Sequence, residues 1–303
     1  MRLDEAIREF LIEQKIRGNS SRTVRNYEVQ LNYFADFAGR DFDMNELTVE
    51  LCRSYYLHLT ERDLTSVTVQ TYIRQLRAFL NWLYRFDYMR LDICARFKLP
   101  KARRDVIDTL TDEEIRRLFD VYTGDGFLAV RNRAILSLYL DGGLRLNELV
   151  TIRTNRMHIR ERYVIVDGKG NKQRAVPFGN QTRDALQLYA DLILHPGGSP
   201  YFFLKQLPGD EFAPLKEAGI KMLFRDLKAA SGIERLHPHL LRHTFATRYL
   251  ENGGNIYSLQ MILGHTSLEM VKRYLHLANR RIVSEFVNFS PLDRFSDGGD
   301  PSL

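Results

Sequence analysis

Residues 237–247, HPHLLRHTFAT, hold three of the eight histidines in the chain, together with an arginine, within seven positions. Such a cluster has three interpretations. It could bind a metal ion, it could supply an acid or base to a reaction, or it could be a packed helix whose histidines have no chemical role. The rest of the sequence has to distinguish among them.

A zinc site is the most serious alternative, because His239 and His243 are four residues apart and would share one face of a helix. Three observations count against it. No H-E-x-x-H motif occurs, and no acidic ligand follows nearby. Pro238 indicates that the helix begins at about this residue, which removes His237 from that face. We therefore expect no metal in this site.

Basic and phenolic groups lie beside turns or helix starts in three further segments of the chain after residue 106. These segments are Gly143-Leu144-Arg145, the turn Gly168-Lys169-Gly170, and residues 263–276, LGHTSLEMVKRYLH. Together with residues 239–243 they supply six candidates for catalysis: Arg145, Lys169, His239, Arg242, His265 and Tyr274. The set contains no pair of carboxylates and no glycine-rich phosphate loop.

This set suits attack on a phosphodiester, whose non-bridging oxygens gain negative charge in the transition state. Arginine donates two hydrogen bonds to a phosphate and stays protonated, histidine donors can complete the cradle, and a lysine on a short turn can protonate the leaving oxygen. A tyrosine has a pKa of about 10 in isolation, and two nearby guanidinium groups would favour its phenolate form as a nucleophile. The phosphotyrosine ester retains the energy of the bond, so rejoining needs no nucleotide cofactor.

Each candidate taken alone has an ordinary explanation. Arg145 could lie on the surface of an amphipathic helix, Lys169 in a solvated turn and His265 at a helix cap. Tyr274 could be a core aromatic with a hydrogen-bonded hydroxyl, and other tyrosines lie in the same region. The joint order and spacing of the candidates, rather than any single residue, support the catalytic interpretation.

The order of these segments resembles that of the tyrosine recombinases, the phage integrase and Xer family. DGGLRLNELVTI resembles the first box of the family, and GKGNKQRAVPF resembles its β-hairpin lysine motif. HPHLLRHTFATRYLENGGNIYSLQMILGH resembles the second box, with H-x-x-R and a downstream L-G-H, and RYLH resembles the nucleophile box. The resemblance extends over roughly residues 106–280, and the N-terminal helices resemble the core-binding domain of the family less specifically.

The resemblance implies a reaction and assigns four groups to it. Tyr274 would be the nucleophile, and Arg145 and Arg242 would clamp the phosphate. Lys169 would be the general acid for the leaving 5′ oxygen. The product would be a 3′-phosphotyrosyl bond and a 5′ hydroxyl, which then attacks the linkage of the partner duplex.

Supporting roles follow from the same resemblance. His239 would be an acid, a base or a phosphate ligand, and His265 would be a further hydrogen-bond donor. Glu148, one helical turn beyond the first arginine, would brace the site. His243 would be supporting structure.

The chain has 303 residues, enough for two domains, and its 44% hydrophobic and 27% charged content is that of a globular protein. We predict a helical core-binding domain over residues 1–92, a basic linker over 93–106, a catalytic domain over 107–290 and a flexible tail over 291–303. The fold class is mainly α. An N-terminal four-helix bundle precedes a mostly helical catalytic domain that contains a small β-hairpin.

Local signals place several element boundaries. Thr111 and Glu114 form a capping-box pattern that opens a helix after the linker, and Ser20 and Ser21 are candidate N-caps. Residues 162–178, RYVIVDGKGNKQRAVPF, predict a β-hairpin with strands at 163–166 and 174–178. After Asn180 the pattern is helical to about residue 289, apart from a loop rich in glycine and proline at about 196–211.

A polyanionic partner is indicated by residues 90–104, which carry six basic residues and one acid, nearly all of the net charge of +6. A solvated linker with a chance run of charge is the alternative. Other basic residues on the bundle, linker and hairpin could contact DNA, although a solvated surface explains them about as well. The candidates for DNA contacts are Arg22, Arg25, Arg74, Arg77, Lys101, Arg103, Arg104, Lys172 and Arg174.

The resemblance implies double-stranded DNA with a specific recombination site as substrate, a Holliday junction intermediate and a homotetramer that assembles on DNA. Without DNA the protein would be monomeric or weakly associated. The sequence does not specify whether an accessory protein takes part. Neither metal nor ATP is required by the chemistry. The predicted helix at residues 280–289 would dock on a neighbouring protomer or pack on its own domain, through Ile282, Val283, Phe286 and Val287.

No apolar run approaches the length of a membrane span, and the N-terminus lacks the apolar centre of a signal peptide. We therefore expect a cytoplasmic enzyme without a membrane partner.

Two other functions remain open. A type IB topoisomerase uses similar residues but lets the DNA rotate before resealing, and the compact helical N-terminal domain disfavours it. A non-catalytic regulator would place helices in the major groove, but it has no use for a tyrosine beside two arginines and a hairpin lysine. We predict a tyrosine-type site-specific recombinase, either Xer-like or from a mobile element.

Overall fold

The computed structural model describes residues 1–98, 108–168, 172–193, 199–209 and 211–264. The chain forms two compact units, Met1–Asp105 and Val106–Leu303. The described residues are mainly helical with two small antiparallel sheets, which confirms the predicted fold class. Among these residues, no helix is both long enough and apolar enough to cross a bilayer. Most of the predicted linker and all of the predicted tail lie outside the described ranges.

Four long helices make up most of the first unit and match the predicted bundle. They are α1 (Leu3–Ile16), α2 (Ser21–Ala38), α3 (Val49–Thr60) and α4 (Ser66–Arg85), and a short helix, α5 (Ile93–Arg96), follows them. Side chains of Ser20, Thr48 and Thr65 accept a hydrogen bond from the backbone N–H three residues later, so each caps a helix. Of the two serines proposed as caps, Ser20 is the cap and Ser21 is the first helical residue.

The core of the first unit extends into the segment that the sequence predicted as linker. Ile93, Cys94 and Phe97 are buried with the apolar faces of the long helices. Nη1 of Arg77, in α4, donates a hydrogen bond to the carbonyl of Cys94 at 3.0 Å. Arg96 lies between these apolar positions, Arg90 and Lys98 flank them, and this basic run obscured them in the sequence. Arg77 therefore holds α5 against α4 and is half-buried, and a DNA contact by this residue stays a prediction.

The described part of the second unit contains seven α-helices. They are α6 (Asp112–Asp120), α7 (Phe127–Gly142), α8 (Leu146–Val150), α9 (Asn180–Ile193), α10 (Glu217–Ser231), α11 (Pro238–Glu251) and α12 (Ile256–Leu263). The predicted capping box of α6 is confirmed, because Thr111 Oγ1 accepts from Glu114 N at 3.2 Å and Glu114 Oε2 accepts from Thr111 N at 2.9 Å. Helix α7 packs against α9 and α11 in the core of this unit.

A three-stranded antiparallel sheet carries the predicted lysine turn. Its strands are β1 (Met157–His158), β2 (Tyr163–Asp167) and β3 (Gln173–Pro177), in that order across the sheet. Strands β2 and β3 form the predicted hairpin, in which Val164 pairs with Val176 and Val166 with Arg174. The turn is closed by a hydrogen bond of 2.8 Å from Gly168 N to Lys172 O.

A second hairpin was not predicted. Strands β4 (Leu204–Gln206) and β5 (Phe212–Pro214) pair antiparallel at the place where the sequence indicated only a loop rich in glycine and proline. Three-residue strands are too short for an alternating pattern to be recognised. The three consecutive apolar residues 202–204 are all buried, and they anchor this hairpin to the core of the unit.

Candidate active site

The first arginine of the site, Arg145, is placed by a tight turn between α7 and α8. Gly143 follows α7 in the left-handed conformation, with φ 59°, and a Cβ at this position would lie 2.4 Å from Cδ1 of Phe245. Arg145 is the N-cap of α8, and its backbone N–H donates to Oε2 of Glu148 at 2.8 Å. The first turn of α8 therefore brings the Arg145 guanidinium and the Glu148 carboxylate together.

The carboxylate of Glu148 is 3% exposed and bonds two arginines. Nη1 of Arg145 donates to Oε1 at 2.7 Å. Arg174, which extends from β3, donates from Nη1 to Oε1 and from Nη2 to Oε2, both at 2.8 Å. Burial alone would raise the pKa of Glu148, but hydrogen bonds from Arg174 and from the Arg145 backbone, with the charge of Arg174, lower this pKa to about 2. The carboxylate is therefore ionised at neutral pH.

The second arginine, Arg242, lies in α11 and is 6% exposed. Its Nη1 donates to the carbonyl of Gly143 at 2.5 Å, and its Nη2 donates to the carbonyl of Leu263 at 2.7 Å. The side chain thus connects the end of α7 with the end of α12. Because Gly143 also sets the turn before Arg145, the two predicted clamp arginines are positioned by the same stretch of backbone.

Three consecutive carbonyls at the end of α12 accept hydrogen bonds from three arginines. The bonds run from Arg174 Nε to Ile262 (2.6 Å), from Arg242 Nη2 to Leu263 (2.7 Å) and from Arg145 Nη2 to Gly264 (3.5 Å). The last carbonyls of a helix have no partner within the helix and carry partial negative charge, so guanidinium groups stabilise this end. The three arginines converge on the backbone that directly precedes His265.

The predicted acid or base, His239, lies in the first turn of α11, where its side chain is accessible to solvent on one side and partly surrounded by protein on the other. Desolvation by the surrounding protein lowers its pKa, and the charges of Arg242, His237 and Arg145 act in the same direction. The lowered pKa favours the neutral imidazole, the form that can accept a proton. His237 has a structural role, because its Nδ1 accepts the backbone N–H of Leu240 at 2.8 Å and caps α11.

In the ranges that the structure describes, no group of three or more histidine, cysteine, aspartate or glutamate residues could hold a metal ion. The ring centroids of His237 and His239 are 6.5 Å apart. His243 is half-buried and follows Arg242 in α11, whose start at Pro238 is where the sequence placed it.

Several predicted site residues lie outside the described residues. They are Lys169, His265, Tyr274, the linker residues Lys101, Arg103 and Arg104, and the predicted helix at 280–289. The backbone on either side of Lys169 is described, since Gly168 and Lys172 close the hairpin turn. Gly264, with φ 62°, ends α12 immediately before His265.

The candidates for DNA contacts separate into exposed side chains and one that is largely covered by protein. Arg22, Arg25 and Arg74 in the first unit and Lys172 on the hairpin are exposed, and their DNA contacts stay predictions. Arg174 is different, because its side chain is 10% exposed and its guanidinium bonds Glu148 and the carbonyl of Ile262. We therefore correct its assignment from a DNA contact to a component of the arginine site.

A signal for this role of Arg174 was present in the sequence. Arg174 lies two residues before Val176 on β3, and alternate residues of a strand share one face. Val176 is fully buried, so a charged side chain on the same face needs a buried partner of opposite charge. Glu148, already suspected as a brace, is that partner.

Comparisons with known proteins cover both units. Residues 108–281 match the Phage integrase family, and residues 3–99 match the Phage integrase SAM-like domain. Tyrosine recombinase XerC of Bacillus pumilus is 32% identical over 285 residues, covering 91% of this chain and 92% of that protein. Tyrosine recombinase XerC of Staphylococcus carnosus is 30% identical over 285 residues, covering 93% of this chain and 96% of that protein.

Solved structures share the fold. The XerA recombinase is 26% identical, with a TM-score of 0.51, and the match covers 95% of this chain and 99% of that chain. The Tn1549 transposon integrase, in complex with circular intermediate DNA, is 19% identical with a TM-score of 0.74, covering 90% of this chain and 95% of that chain.

The family match spans more than half of the chain, and the XerC relatives align over more than nine tenths of their length. These relatives are recombinases, which favours strand exchange over the topoisomerase and regulator interpretations. The chain therefore belongs to the phage integrase family of tyrosine recombinases, and it is an enzyme of site-specific DNA recombination.

Proposed function

We propose that Tyr274 is the nucleophile of this recombinase and that Arg145 and Arg242 clamp the phosphate that it attacks. The observation that carries the proposal is the convergence of both guanidinium groups on residues 263–264, the backbone that leads directly into the segment of Tyr274. Arg145 also lies beside a carboxylate that is ionised and held in place, so its guanidinium has a fixed orientation.

The proposed reaction exchanges one phosphate ester for another. The Tyr274 oxygen bonds the phosphorus while the bond to the 5′ oxygen breaks, and Lys169 gives that oxygen its proton. The result is a 3′-phosphotyrosine and a 5′ hydroxyl. In the second half, the 5′ hydroxyl of a partner duplex attacks the phosphotyrosine and releases Tyr274. The number of ester bonds is unchanged, so neither half requires an external energy source.

We assign His239 as the proton acceptor for the tyrosine hydroxyl, with His265 as a further donor to the phosphate. If His239 is the base, the single-turnover cleavage rate falls as the pH drops through its lowered pKa, below the ordinary value of 6.5, because the imidazolium cannot accept a proton. His239→Gln should be slower at neutral pH and should lack this acid limb. A wild-type rate that rises on acidification would instead assign the imidazolium as a phosphate ligand.

The proposed substrate is a specific site in double-stranded DNA, and exposed arginines of the first unit, such as Arg22, Arg25 and Arg74, support contacts to the phosphate backbone. Strand exchange between two duplexes requires four cleavages. One nucleophilic tyrosine per chain therefore implies four protomers on DNA and a Holliday junction after the first pair of exchanges. We propose that the enzyme acts on this substrate in the cytoplasm, and both an Xer-like role and a mobile-element role fit it.

Covalent capture tests the proposal and identifies the recombination site in the same experiment. The protein is incubated in EDTA with a library of nicked duplexes of randomised sequence, and protein–DNA adducts are recovered from a denaturing gel and sequenced. The wild type should enrich one sequence, and Tyr274→Phe should yield no adduct while still binding that duplex. Tyr249→Phe and Tyr257→Phe are matched controls that should retain the adduct.

Two results would contradict the proposal. An adduct that survives in Tyr274→Phe but disappears in one of the control variants assigns the nucleophile to another tyrosine. The wild type could also bind DNA firmly and specifically but form no adduct on any nicked duplex. That result would contradict cleavage through a phosphotyrosine.

A further inference from the structure

Two arginines face the single carboxylate of Glu148, and they bond it differently. Arg174 makes a two-point pair, with both terminal nitrogens 2.8 Å from the two carboxylate oxygens, and its side chain is 10% exposed. Arg145 makes one side-chain bond, at 2.7 Å, and is 32% exposed. The less exposed, two-point partner of Glu148 is thus Arg174, which is not one of the proposed clamp residues.

We infer that Arg174 is a positioning residue that neutralises Glu148 so that the charge of Arg145 is available to the DNA phosphate. The inference rests on the proposed function, in which Arg145 is part of the clamp. With Arg174 present, the three side chains carry a net charge of +1. Without it, Glu148 and Arg145 would cancel, and the field of the clamp at the phosphate would decrease.

The position of Arg174 in the fold supports this role. It extends from β3, in register with Val166 of β2, and its Nε bonds the carbonyl of Ile262 at 2.6 Å. It also lies close over Gly264, where a Cβ would come within 2.9 Å of its Nη1. A single guanidinium therefore joins the strand that follows the lysine turn, the end of α12 and the carboxylate that orients Arg145.

A charge role and a purely structural role predict opposite results for a double variant. Arg174→Gln removes the neutralising charge and leaves Glu148 opposite Arg145 alone. Adding Glu148→Gln to that variant restores the net charge of +1, because only Arg145 remains charged. If Arg174 acts through charge, the second substitution should recover activity. If it acts only as a brace, removing the second half of the pair should leave activity unchanged or lower it further.

The measurement is the single-turnover rate of adduct formation at saturating concentrations of a captured duplex, with near-ultraviolet circular dichroism to establish folding. Arg174→Gln should be slower by about 10–100-fold, with a dissociation constant for DNA within about threefold of the wild type. The double variant should be at least about fivefold faster than Arg174→Gln, and Arg174→Lys should lie between Arg174→Gln and the wild type.

The matched control is Arg156→Gln. Arg156 pairs with Asp167 on the same hairpin, with Nη1 2.7 Å from Oδ1, but it does not bond Glu148. Its rate should stay within about threefold of the wild type. A loss equal to that of Arg174→Gln would mean that general loosening of the hairpin explains both variants, and it would overturn the inference.

The inference is also overturned if the double variant is as slow as Arg174→Gln or slower. If Arg174→Gln does not fold, the double variant is compared with the wild type directly. A rate within about tenfold supports the charge role, and a greater loss contradicts it. A wild type that forms no adduct refutes the proposed function, whereas an adduct whose rate is insensitive to Arg174→Gln refutes only this inference.

Discussion

Replacing Glu148 by glutamine is expected to lower the free energy of unfolding by about 3–5 kcal/mol at neutral pH, the usual cost of removing one partner from a buried ion pair. The carboxylate is 3% exposed, and it is the counter-ion of Arg174, whose side chain is 10% exposed. A neutral amide leaves two guanidinium groups without that counter-ion, and its NH2 group would face one of these donors. The lowered pKa of Glu148 agrees with a loss of this size, since a shift from 4.5 to about 2 corresponds to about 3 kcal/mol.

Urea unfolding of the full chain, followed by circular dichroism, measures this loss. The single tryptophan, Trp82, is buried in the first unit, so its fluorescence reports that unit, whereas Glu148 belongs to the second. Asp167→Asn is the matched control, because Asp167 pairs with Arg156 on the exposed side of the hairpin and should contribute less than about 1 kcal/mol. If Glu148→Gln and Asp167→Asn lose equal free energies of unfolding, burial of the Glu148 carboxylate does not explain the loss.

The difference in stability between the wild type and Glu148→Gln should depend on pH. The pKa of Glu148 in the folded chain lies below its ordinary value of 4.5, so its stabilisation is present above pH 4.5 and is lost as the pH falls toward 2. The wild type and Glu148→Gln should therefore converge in stability over this window. Glu114, whose pKa is lowered to about 2 mainly by its hydrogen bond from Arg235, loses its own contribution in both proteins. The difference between the two proteins isolates Glu148.

Much of the local structure around the site was predictable, because the contacts that create it span few residues. The capping box joins Thr111 and Glu114, three residues apart, and the hairpin is specified by alternating residues around a glycine turn. The start of α11 at Pro238 follows from the fixed φ of proline at a first helical position. Each of these signals lies within one element or one turn.

The links between the elements could not be predicted in the same way. The bond from Arg242 to Gly143 spans 99 residues, that from Arg145 to Gly264 spans 119, and that from Arg174 to Ile262 spans 88. No periodicity or spacing rule reaches over such distances. The motifs indicated that Arg145 and Arg242 act together, but the means of alignment, carbonyls at the ends of α7 and α12, emerges only from the packed structure.

Arg242→Lys is expected to slow single-turnover cleavage on the order of 10²–10³-fold while changing DNA affinity only a few-fold. Arginine can donate to the carbonyls of Gly143 and Leu263 from two separate nitrogens at 2.5 and 2.7 Å. A single ammonium group cannot reproduce that two-point geometry, although it keeps the charge. One carbonyl at the end of α7 or α12 would lose its donor, at a cost of about 1–3 kcal/mol, and the clamp would lose its fixed orientation.

The control lies on the same helix. Arg248 also bonds a backbone carbonyl, that of Leu110, and it pairs with Asp112, but its side chain is 35% exposed and it bonds neither Gly143 nor the end of α12. Arg248→Lys makes the identical chemical change and should leave the cleavage rate within about threefold of the wild type. If Arg242→Lys cleaves within about tenfold of the wild type, positive charge alone suffices at this position. The two-carbonyl alignment would then contribute to folding rather than to catalysis.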